Sequence, residues 1–339
     1  DLYFGSETED LTLLQTIAGI LCDKPRSLET SIRTYLQDGQ SYAAARETSL
    51  LEYLESEGRQ DILPNVSAAL RAPNSILAIE YLIACQKTDS SITPRLLPRA
   101  GSAYHEKSIE TPIPSASAIR KAILNCAQDE KISPATLANT LFGTMPSSAL
   151  SPLLSEWSRG IRPVFPKHFA SDYLLAIRAR STDEIDNTAY MNDHVSGRIR
   201  NASAKLRVDS ETTLHQAFQE ELHTRRYAQT RINRALVSLL CGQTVKDLSD
   251  LPAPLYLRIL GFSKSGRYLL RKMKTNATLP IISKASDFLE QSSNRHFNRM
   301  AALDLLSTDA WNNKAGYPYA DEFDRQVLST KDVRDIPPK

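Results

Sequence analysis

Residues 1–10 read DLYFGSETED, and this short stretch predicts the fold of the first part of the chain. Leu2, Tyr3 and Phe4 form an apolar run with two aromatic residues, which favours a strand. Gly5 and Ser6 favour a break in the strand, and an acidic stretch that favours a helix follows them. The stretch therefore predicts the end of a buried strand, then a turn and the start of a helix. This order of elements is typical of an α/β sheet.

Helices predominate after this stretch. In 11–23 (LTLLQTIAGILCD) and 76–87 (ILAIEYLIACQK), apolar residues recur at spacings of three and four, which predicts amphipathic helices. A second extended segment, ITPRLLPR, is indicated at 92–99. Two extended segments with helices between them predict the second half of an α/β sheet whose first strands are absent. From about Cys126 onward the pattern is helical, with loops marked by prolines.

The composition is that of an ordinary globular protein. The chain has 339 residues, of which 41% are hydrophobic and 24% charged, so it is long enough for about two or three domains. No apolar run approaches the length of about 18 to 20 residues that spans a bilayer, and no basic and apolar leader stands at the start. We therefore expect a cytoplasmic protein without a membrane partner. The four cysteines lack the spacing of a zinc site or a disulfide framework.

Positive charge is concentrated in one part of the sequence. Residues 198–274 contain 15 Lys and Arg against 6 Asp and Glu, a net charge of +9. The rest of the chain has 26 Lys and Arg against 33 Asp and Glu, a net charge of −7. This asymmetry favours a region that binds a polyanion. A solvated helical surface explains the charge equally well.

Three stretches in the first half have residues suited to an anion. Asn74 stands at the start of a helix, and Arg99 lies at the expected carboxyl end of the second strand, where open α/β sheets bind ligands. Arg120 follows Ser115 and Ser117 in the first turn of another helix. Helix amides, hydroxyls and guanidinium groups all bind phosphate. Helix capping is the alternative for Asn74 and the serines, and a surface ion pair is the alternative for Arg99.

The second half contains two basic stretches with tyrosine among the arginines. In 224–242 (TRRYAQTRINRALVSLLCG), helical spacing puts Tyr227, Arg231, Arg234 and Ser238 on one face and apolar residues on the other. In 261–274 (GFSKSGRYLLRKMK), the basic residues are Lys264, Arg267, Arg271, Lys272 and Lys274. Basic residues interleaved with aromatic rings suit RNA, because they pair with phosphates while the rings stack on unpaired bases.

In order along the chain, these stretches resemble the bacterial tRNA(Met) cytidine acetate ligase family of the nucleotidyltransferase-like HIGH superfamily. No single motif is sufficient, but their shared order makes the resemblance specific. The matching motifs are FGSE (4–7), GQSYAAA (39–45), PNSILAIEYL (73–82), PRAGSAYHE (98–106), SASAIR (115–120), RRYAQTRINR (225–234) and LGFSKSGRYLL (260–270).

The resemblance implies two domains and a set of ligand contacts. Residues 1–125 would be the C-terminal part of a Rossmann-like, ATP-binding nucleotidyltransferase domain, and 126–339 a mainly helical tRNA-binding region. ATP contacts are implied for Gly5, Asn74 and Arg99, and a looser phosphate contact for Arg120. RNA contacts are expected at Tyr227, Arg231, Arg234, Lys264, Arg267 and Arg271.

The resemblance also implies a missing segment. None of the six histidines begins the HxGH-type motif that binds ATP phosphates in the superfamily, so the catalytic residues stay unassigned. We expect that an N-terminal portion of roughly a hundred residues precedes this sequence in the family's layout. Ser75, Ala78 and residues 192–199 depart from the family's usual pattern.

The implied reaction is the ATP-dependent ligation of acetate to N4 of the wobble cytidine of elongator tRNA(Met), through an acetyl-adenylate. ATP is expected with Mg²⁺, although the sequence shows no carboxylate cluster for the metal and indicates no protein partner. Two alternatives stay open at this point. One is an enzyme of the same superfamily that adenylates a small cofactor precursor, and the other is a non-catalytic RNA-binding protein.

Overall fold

The structure is a computed structural model that describes residues 1–98, 113–127, 132–191, 193–206, 211–222, 229–291, 293–318 and 321–329. The chain forms two compact units. One consists of Asp1–Asp129 with Ala135–Leu150, and the other of Glu130–Pro134 with Ser151–Lys339. The predicted division into a nucleotide-binding domain over 1–125 and a tRNA-binding region over 126–339 concerns function, and it stays a prediction.

The first unit combines a parallel pair of strands with helices. Strand β1 pairs with β2 in parallel, and the register places Gly5 opposite Leu97. The two predicted extended segments are therefore strands, but the predicted break at Gly5 and Ser6 is wrong, because the ladder continues to the pair of Ser6 with Pro98. The elements are β1 Leu2–Ser6, α1 Leu11–Asp23, α2 Arg26–Gln37, α3 Tyr42–Ser56, α4 Leu63–Arg71, α5 Pro73–Lys87, β2 Pro94–Pro98, α6 Ala116–Ala127 and α7 Pro134–Leu141. Helix α8, Ser147–Ser158, begins in this unit and continues into the second.

The core of the first unit lies where α1 and α5 pack together and α5 covers β1. Leu14, Ile17 and Ile79 are fully buried there, and Phe4 of β1 is almost fully buried. The spacing of apolar residues in 11–23 and 76–87 predicts these two helices, and the structure confirms both. The packing of α5 on β1 places the helix start at Pro73 beside the carboxyl end of the strand.

The second unit is mainly helical. Its short strands pair in parallel as β3 with β5 and β4 with β6. The sequence pattern predicts helices and loops here but not these two-residue strands. The elements are α9 Ala170–Arg178, α10 Thr182–Asp186, α11 Asp193–Lys205, α12 Glu211–Leu222, α13 Gln229–Leu240, α14 Val245–Asp250, β3 Leu257–Arg258, β4 Gly261–Phe262, α15 Lys264–Asn276, β5 Ile281–Ile282, α16 Arg295–Ala315, α17 Asp321–Asp324 and β6 Leu328–Ser329.

Two apolar clusters hold the second unit together. Helices α11, α12 and α13 pack around α9, and the largest fully buried side chain of that cluster is Phe218. A smaller cluster contains Tyr256, Phe288 and Phe297, whose rings meet edge to face at centroid distances of 5.1 to 6.0 Å. None of the helices in the described ranges is long and apolar enough to cross a membrane.

Candidate nucleotide site and nucleic-acid interface

Gly5 lies near the carboxyl end of β1, on the exposed side of the strand. A Cβ atom added to Gly5 would meet only the carbonyl oxygen of Leu97, at 3.9 Å. The site therefore has room for a side chain, and glycine leaves the backbone uncovered for a ligand. In open α/β sheets this edge is where ligands bind.

The start of α5 is held by the carboxylate of Glu7, which follows β1. The backbone amide of Ser75 donates to Glu7 Oε2 at 2.9 Å, and that of Asn74 donates to Oε1 at 3.3 Å. The side-chain amide of Asn74 also donates to Oε1, at 2.7 Å. The alternative of a capping role for Asn74 is thus wrong: Asn74 lies inside the first turn of α5, and Glu7 caps the helix from 67 residues away.

A buried pair of hydroxyls supports this cap. Ser6 and Ser75 are both fully buried, and their Oγ atoms lie 2.8 Å apart. Because the Ser75 hydroxyl donates to Glu7 Oε2 at 3.0 Å, the Ser6 hydroxyl is left to donate to Ser75. Burial alone would raise the pKa of Glu7, but hydrogen bonds from Asn74 and Ser75 outweigh it and bring the pKa below its ordinary value. Glu7 is therefore ionised at neutral pH and fixes the orientation of the Asn74 amide.

An open cavity of about 720 Å³ lies next to this network, but its charge does not suit a triphosphate. Glu7, Glu9 and Asp10 line it, and neither Gly5 nor Asn74 does. Asp10 is already the N-cap of α1, where it accepts a hydrogen bond from the amide of Leu13 at 2.9 Å. Carboxylates repel phosphate, so we do not assign the nucleotide phosphates to this cavity.

The predicted contacts at Arg99 and Tyr227 lie outside the described residues, whereas Arg120 is described and exposed. Arg120 belongs to the first turns of α6, and its Nη2 donates to Ser117 Oγ at 3.3 Å. The Ser115 hydroxyl accepts from the amide of Ala118 at 3.1 Å and caps the helix. Capping thus accounts for Ser115, while Arg120 and Ser117 can still face an anion together.

Helix α13 has a narrower cationic face than the sequence indicates. Arg231 and Arg234 are exposed, and Ile232 and Leu236 are buried, as expected. Ser238 was expected on the cationic face, but it is 3% exposed and donates to Gln243 Oε1 at 3.0 Å. The reason is that the loop after α13 folds back over this end of the helix. The guanidinium of Arg234 lies 5.1 Å from the centroid of the Tyr190 ring.

Helix α15 carries the second basic stretch, and none of its residues is buried. Ser263 caps it by accepting from the amide of Gly266 at 3.0 Å. Lys264, Arg267 and Arg271 are all exposed, as their expected role requires. Tyr268 of this helix is not among the predicted RNA contacts, although a tyrosine among basic residues is the pattern that indicates such a contact.

No metal site supports the expected Mg²⁺ in the parts of the chain that the structure describes. Within them, no three His, Cys, Asp or Glu side chains come together as a set of ligands.

All four cysteines are free; Cys126 and Cys241 are buried, and Cys22 and Cys85 are half-buried.

Comparisons with known proteins place the chain in a family. The model of the HIGH nucleotidyl transferase family matches residues 1–324. The tRNA(Met) cytidine acetate ligase of Acetivibrio thermocellus is 33% identical over 332 residues, which cover 96% of this chain and 75% of that protein. The tRNA(Met) cytidine acetate ligase of Syntrophomonas wolfei is 33% identical over 319 residues, which cover 91% of this chain and 71% of that protein.

Solved structures share the fold. The crystal structure of Thermotoga maritima TmcAL in its apo form I superposes with a TM-score of 0.84 at 21% identity, over 96% of this chain and 76% of that chain. Form II of the same protein, bound with alpha-thio ATP, gives a TM-score of 0.81 at 22% identity, over 97% of this chain and 76% of that chain.

The matches cover nearly all of this chain. They do not support the expected absence of an N-terminal portion. The matched length, the sequence identity and the shared fold agree with one another, and the chain belongs to the tRNA(Met) cytidine acetate ligase family of HIGH nucleotidyl transferases.

Proposed function

We propose that this chain ligates acetate to N4 of the wobble cytidine of elongator tRNA(Met), with ATP as the activating substrate. The observation that carries the proposal is the identity of 33% over 332 residues to the tRNA(Met) cytidine acetate ligase of Acetivibrio thermocellus. The alpha-thio ATP bound to Thermotoga maritima TmcAL supports ATP as the nucleotide. Since the chain shares that fold, the carboxyl edge of β1 and β2 is the expected place for ATP.

The reaction has two steps. A carboxylate oxygen of acetate attacks the α-phosphorus of ATP, the bond to the β-phosphate oxygen breaks, and pyrophosphate leaves. The N4 amine of cytidine then attacks the acetyl carbon, the bond to AMP breaks, and N4 loses a proton. Activation is required because the exocyclic amine is a weak nucleophile. The protein acts mainly by holding the two reacting groups in line and by stabilising negative charge.

Gly5, Asn74 and, more loosely, Arg120 are the described residues that we assign to ATP. Because Glu7 occupies the amides at the start of α5, the phosphates cannot bind there. Glu7 also accepts from the Asn74 side-chain nitrogen, so the Asn74 Oδ1 atom is oriented to accept a hydrogen bond from a ribose hydroxyl. We assign phosphate contacts to Arg99 and, more loosely, to Arg120, since a guanidinium group can bind two phosphate oxygens.

The RNA side of the reaction is assigned to the second unit. Arg231 and Arg234 of α13 are exposed, and so are Lys264, Arg267 and Arg271 of α15. Tyr227 completes the set that we propose from the sequence. ATP is expected to bring Mg²⁺, but no described residues form a site for it, and no step is assigned to a protein-bound metal.

The proposal is tested with the natural full-length protein in its host. Deletion of the gene should remove N4-acetylcytidine from purified tRNA(Met), as measured by mass spectrometry of its nucleosides, and reintroduction of the gene should restore it. In vitro, isotopically labelled acetate should enter tRNA(Met) only when ATP is present. A matched tRNA with uridine at the wobble position is the control. Unchanged N4-acetylcytidine in the deletion strain, or equal labelling of the control tRNA, would contradict the proposed function.

A further inference from the structure

We propose that α15 binds a single-stranded segment of RNA and that Tyr268 stacks on one unpaired base of it. The inference rests on the proposed function and deepens it, because it names the RNA structure that is bound and a residue that reads it. The basic residues around Tyr268 hold the phosphates on either side of that base.

The packing of α15 leaves one face of the helix uncovered. Gly266, Leu270 and Met273 are its partly buried residues, and at 100° per residue they share one side. Exposed side chains occupy the opposite side, within a sector of about 60°. They are Lys264, Tyr268, Arg271 and Thr275. Tyr268 therefore lies in the middle of a face that the second unit does not cover.

The charge around this face fits a polyanion. Residues 251–286 contain seven Lys and Arg and no Asp or Glu. Arg267 and Lys272 flank the exposed face, and the guanidinium of Arg267 lies 5.7 Å from the centroid of the Phe262 ring. The phosphates of RNA complement such a surface, and their release of counterions on binding supplies affinity.

The geometry of Tyr268 fits an unpaired base rather than a duplex. Tyr268 is 64% exposed, although large aromatic residues are usually buried to a greater extent. Lys272 Nζ lies 4.9 Å from the ring centroid, which leaves the rest of the ring open to a ligand. Inside a duplex each base is stacked between its neighbours, whereas loops present bases whose faces are open to an aromatic side chain.

An anionic membrane surface is a weaker candidate. Helices that lie in a membrane bury a broad apolar face in the lipid. The apolar side chains of α15 at Leu270 and Met273 are instead partly buried against their own unit, and only Leu269 joins Tyr268 as a large exposed hydrophobic residue of this helix.

The test compares four single variants of the full-length protein. They are Tyr268→Ala, Tyr268→Phe, Leu269→Ala as a matched control on the same helix, and Arg271→Gln. Binding is measured over a series of salt concentrations for a stem-loop with the anticodon loop of tRNA(Met) and for a fully paired duplex of equal length. Tyr268→Ala should weaken stem-loop binding about 5- to 150-fold without changing the salt slope, because stacking involves no counterion.

The other variants give distinct results. Tyr268→Phe should bind the stem-loop like the parent, because phenylalanine keeps the ring. Leu269→Ala should also bind like the parent, because it leaves the exposed face around Tyr268 unchanged. Arg271→Gln should lower the log–log salt slope by about 0.7. Duplex binding should be insensitive to Tyr268→Ala.

Several outcomes would overturn the inference. If the parent and Tyr268→Ala bind the stem-loop with equal affinity, Tyr268 does not stack on a base. If Tyr268→Ala and Tyr268→Phe lose the same affinity, the hydroxyl group and not the ring makes the contact. If Tyr268→Ala binds phosphatidylserine vesicles less well than the parent but binds RNA equally well, the exposed face of α15 binds a membrane instead of RNA. When one of these results is found and the parent still acetylates tRNA, the role of Tyr268 is wrong but the proposed function stands. If the parent neither binds nor acetylates tRNA, the proposed function is wrong as well.

Discussion

The carboxylate of Glu7 accepts hydrogen bonds from four donors of Asn74 and Ser75, and this arrangement ties the end of β1 to the start of α5. Pro73 contributes no amide of its own, so the amides of Asn74 and Ser75 are the first that need an acceptor. A carboxylate at this position also interacts favourably with the positive end of the helix dipole. One side chain therefore both caps α5 and orients Asn74.

We expect Glu7→Gln to lower the free energy of unfolding by about 0.5 to 1 kcal/mol at pH 7, because it removes a charged helix cap that is exposed to solvent. The pKa of Glu7 is lowered in the folded state, so its contribution is complete above the ordinary value of 4.5 and is lost as the pH falls through the lowered pKa. Urea unfolding of parent and variant should thus converge in acid. Glu9→Gln, which alters an exposed neighbouring carboxylate, is the control and should have little effect at either pH.

We expect Asn74→Ala to weaken ATP binding about tenfold, which corresponds to the loss of one hydrogen bond. Titration with ATP and acetate-dependent pyrophosphate exchange measure this effect. Gln86→Ala, at the exposed far end of α5, serves as the control. If Asn74 only supports the fold, the variant will unfold more easily but bind ATP as the parent does, and the assignment to the nucleotide will be wrong.

Periodicity in the sequence predicts the helices well but not how their ends are satisfied. The spacing in 11–23 and 76–87 gives α1 and α5, since a buried stripe requires it. The cap of α5 could not be predicted, because Glu7 is far away in sequence and meets the helix only through the packing of β1. The same limit explains Ser238, whose burial depends on a loop that folds back on α13. Site contacts assigned to Arg99 and Tyr227 are still predictions.

A clamp between α14 and α16 illustrates how such long-range contacts join elements. Arg299 Nε donates to Asp247 Oδ1 at 2.8 Å, and its Nη2 donates to Oδ2 at 2.7 Å and to the carbonyl of Gly242 at 2.5 Å. The hydrogen bonds from Arg299 hold the pKa of Asp247 far below its ordinary value, although burial opposes this. The amide and hydroxyl of Thr244 also donate to Oδ2 of Asp247.

We expect Arg299→Gln to destabilise the second unit by about 2 kcal/mol, because it leaves a carboxylate that is mostly buried without its bidentate partner. Arg299→Lys should recover only part of the loss, since lysine cannot donate from two fixed nitrogens. Chemical unfolding followed by circular dichroism measures both variants. Arg295→Gln, at an exposed position of the same helix, is the control, and an equal effect there would contradict the clamp.

The net charge of +2 is the sum of a basic region and an acidic remainder of the chain. Residues 198–274 have a net charge of +9, and the remainder is acidic. Much of the positive charge lies on α13 and α15, which have exposed arginines and lysines. A basic region within an otherwise acidic chain attracts a polyanion to one surface, because the acidic parts repel it. We therefore expect the charge distribution to affect the proposed tRNA binding more than the total charge does.

The double charge reversal Arg231→Glu with Arg234→Glu tests whether this charge acts through local contacts. If both side chains contact phosphates, tRNA binding should weaken and its log–log salt slope should fall by about 1.5, since each phosphate contact contributes about 0.7 to 0.9.

Arg26→Glu with Arg33→Glu on α2 is the matched control, because it changes the net charge equally at two exposed arginines of the first unit. The control should weaken binding only through long-range repulsion, which salt screens, and should keep more of the slope. For Arg234, loss of the contact with the Tyr190 ring should lower the free energy of unfolding by no more than about 1 kcal/mol. Affinity for ATP should not change in either double variant. Equal slopes for both double variants would show that α13 contributes only net charge, and the contacts proposed for Arg231 and Arg234 would be wrong.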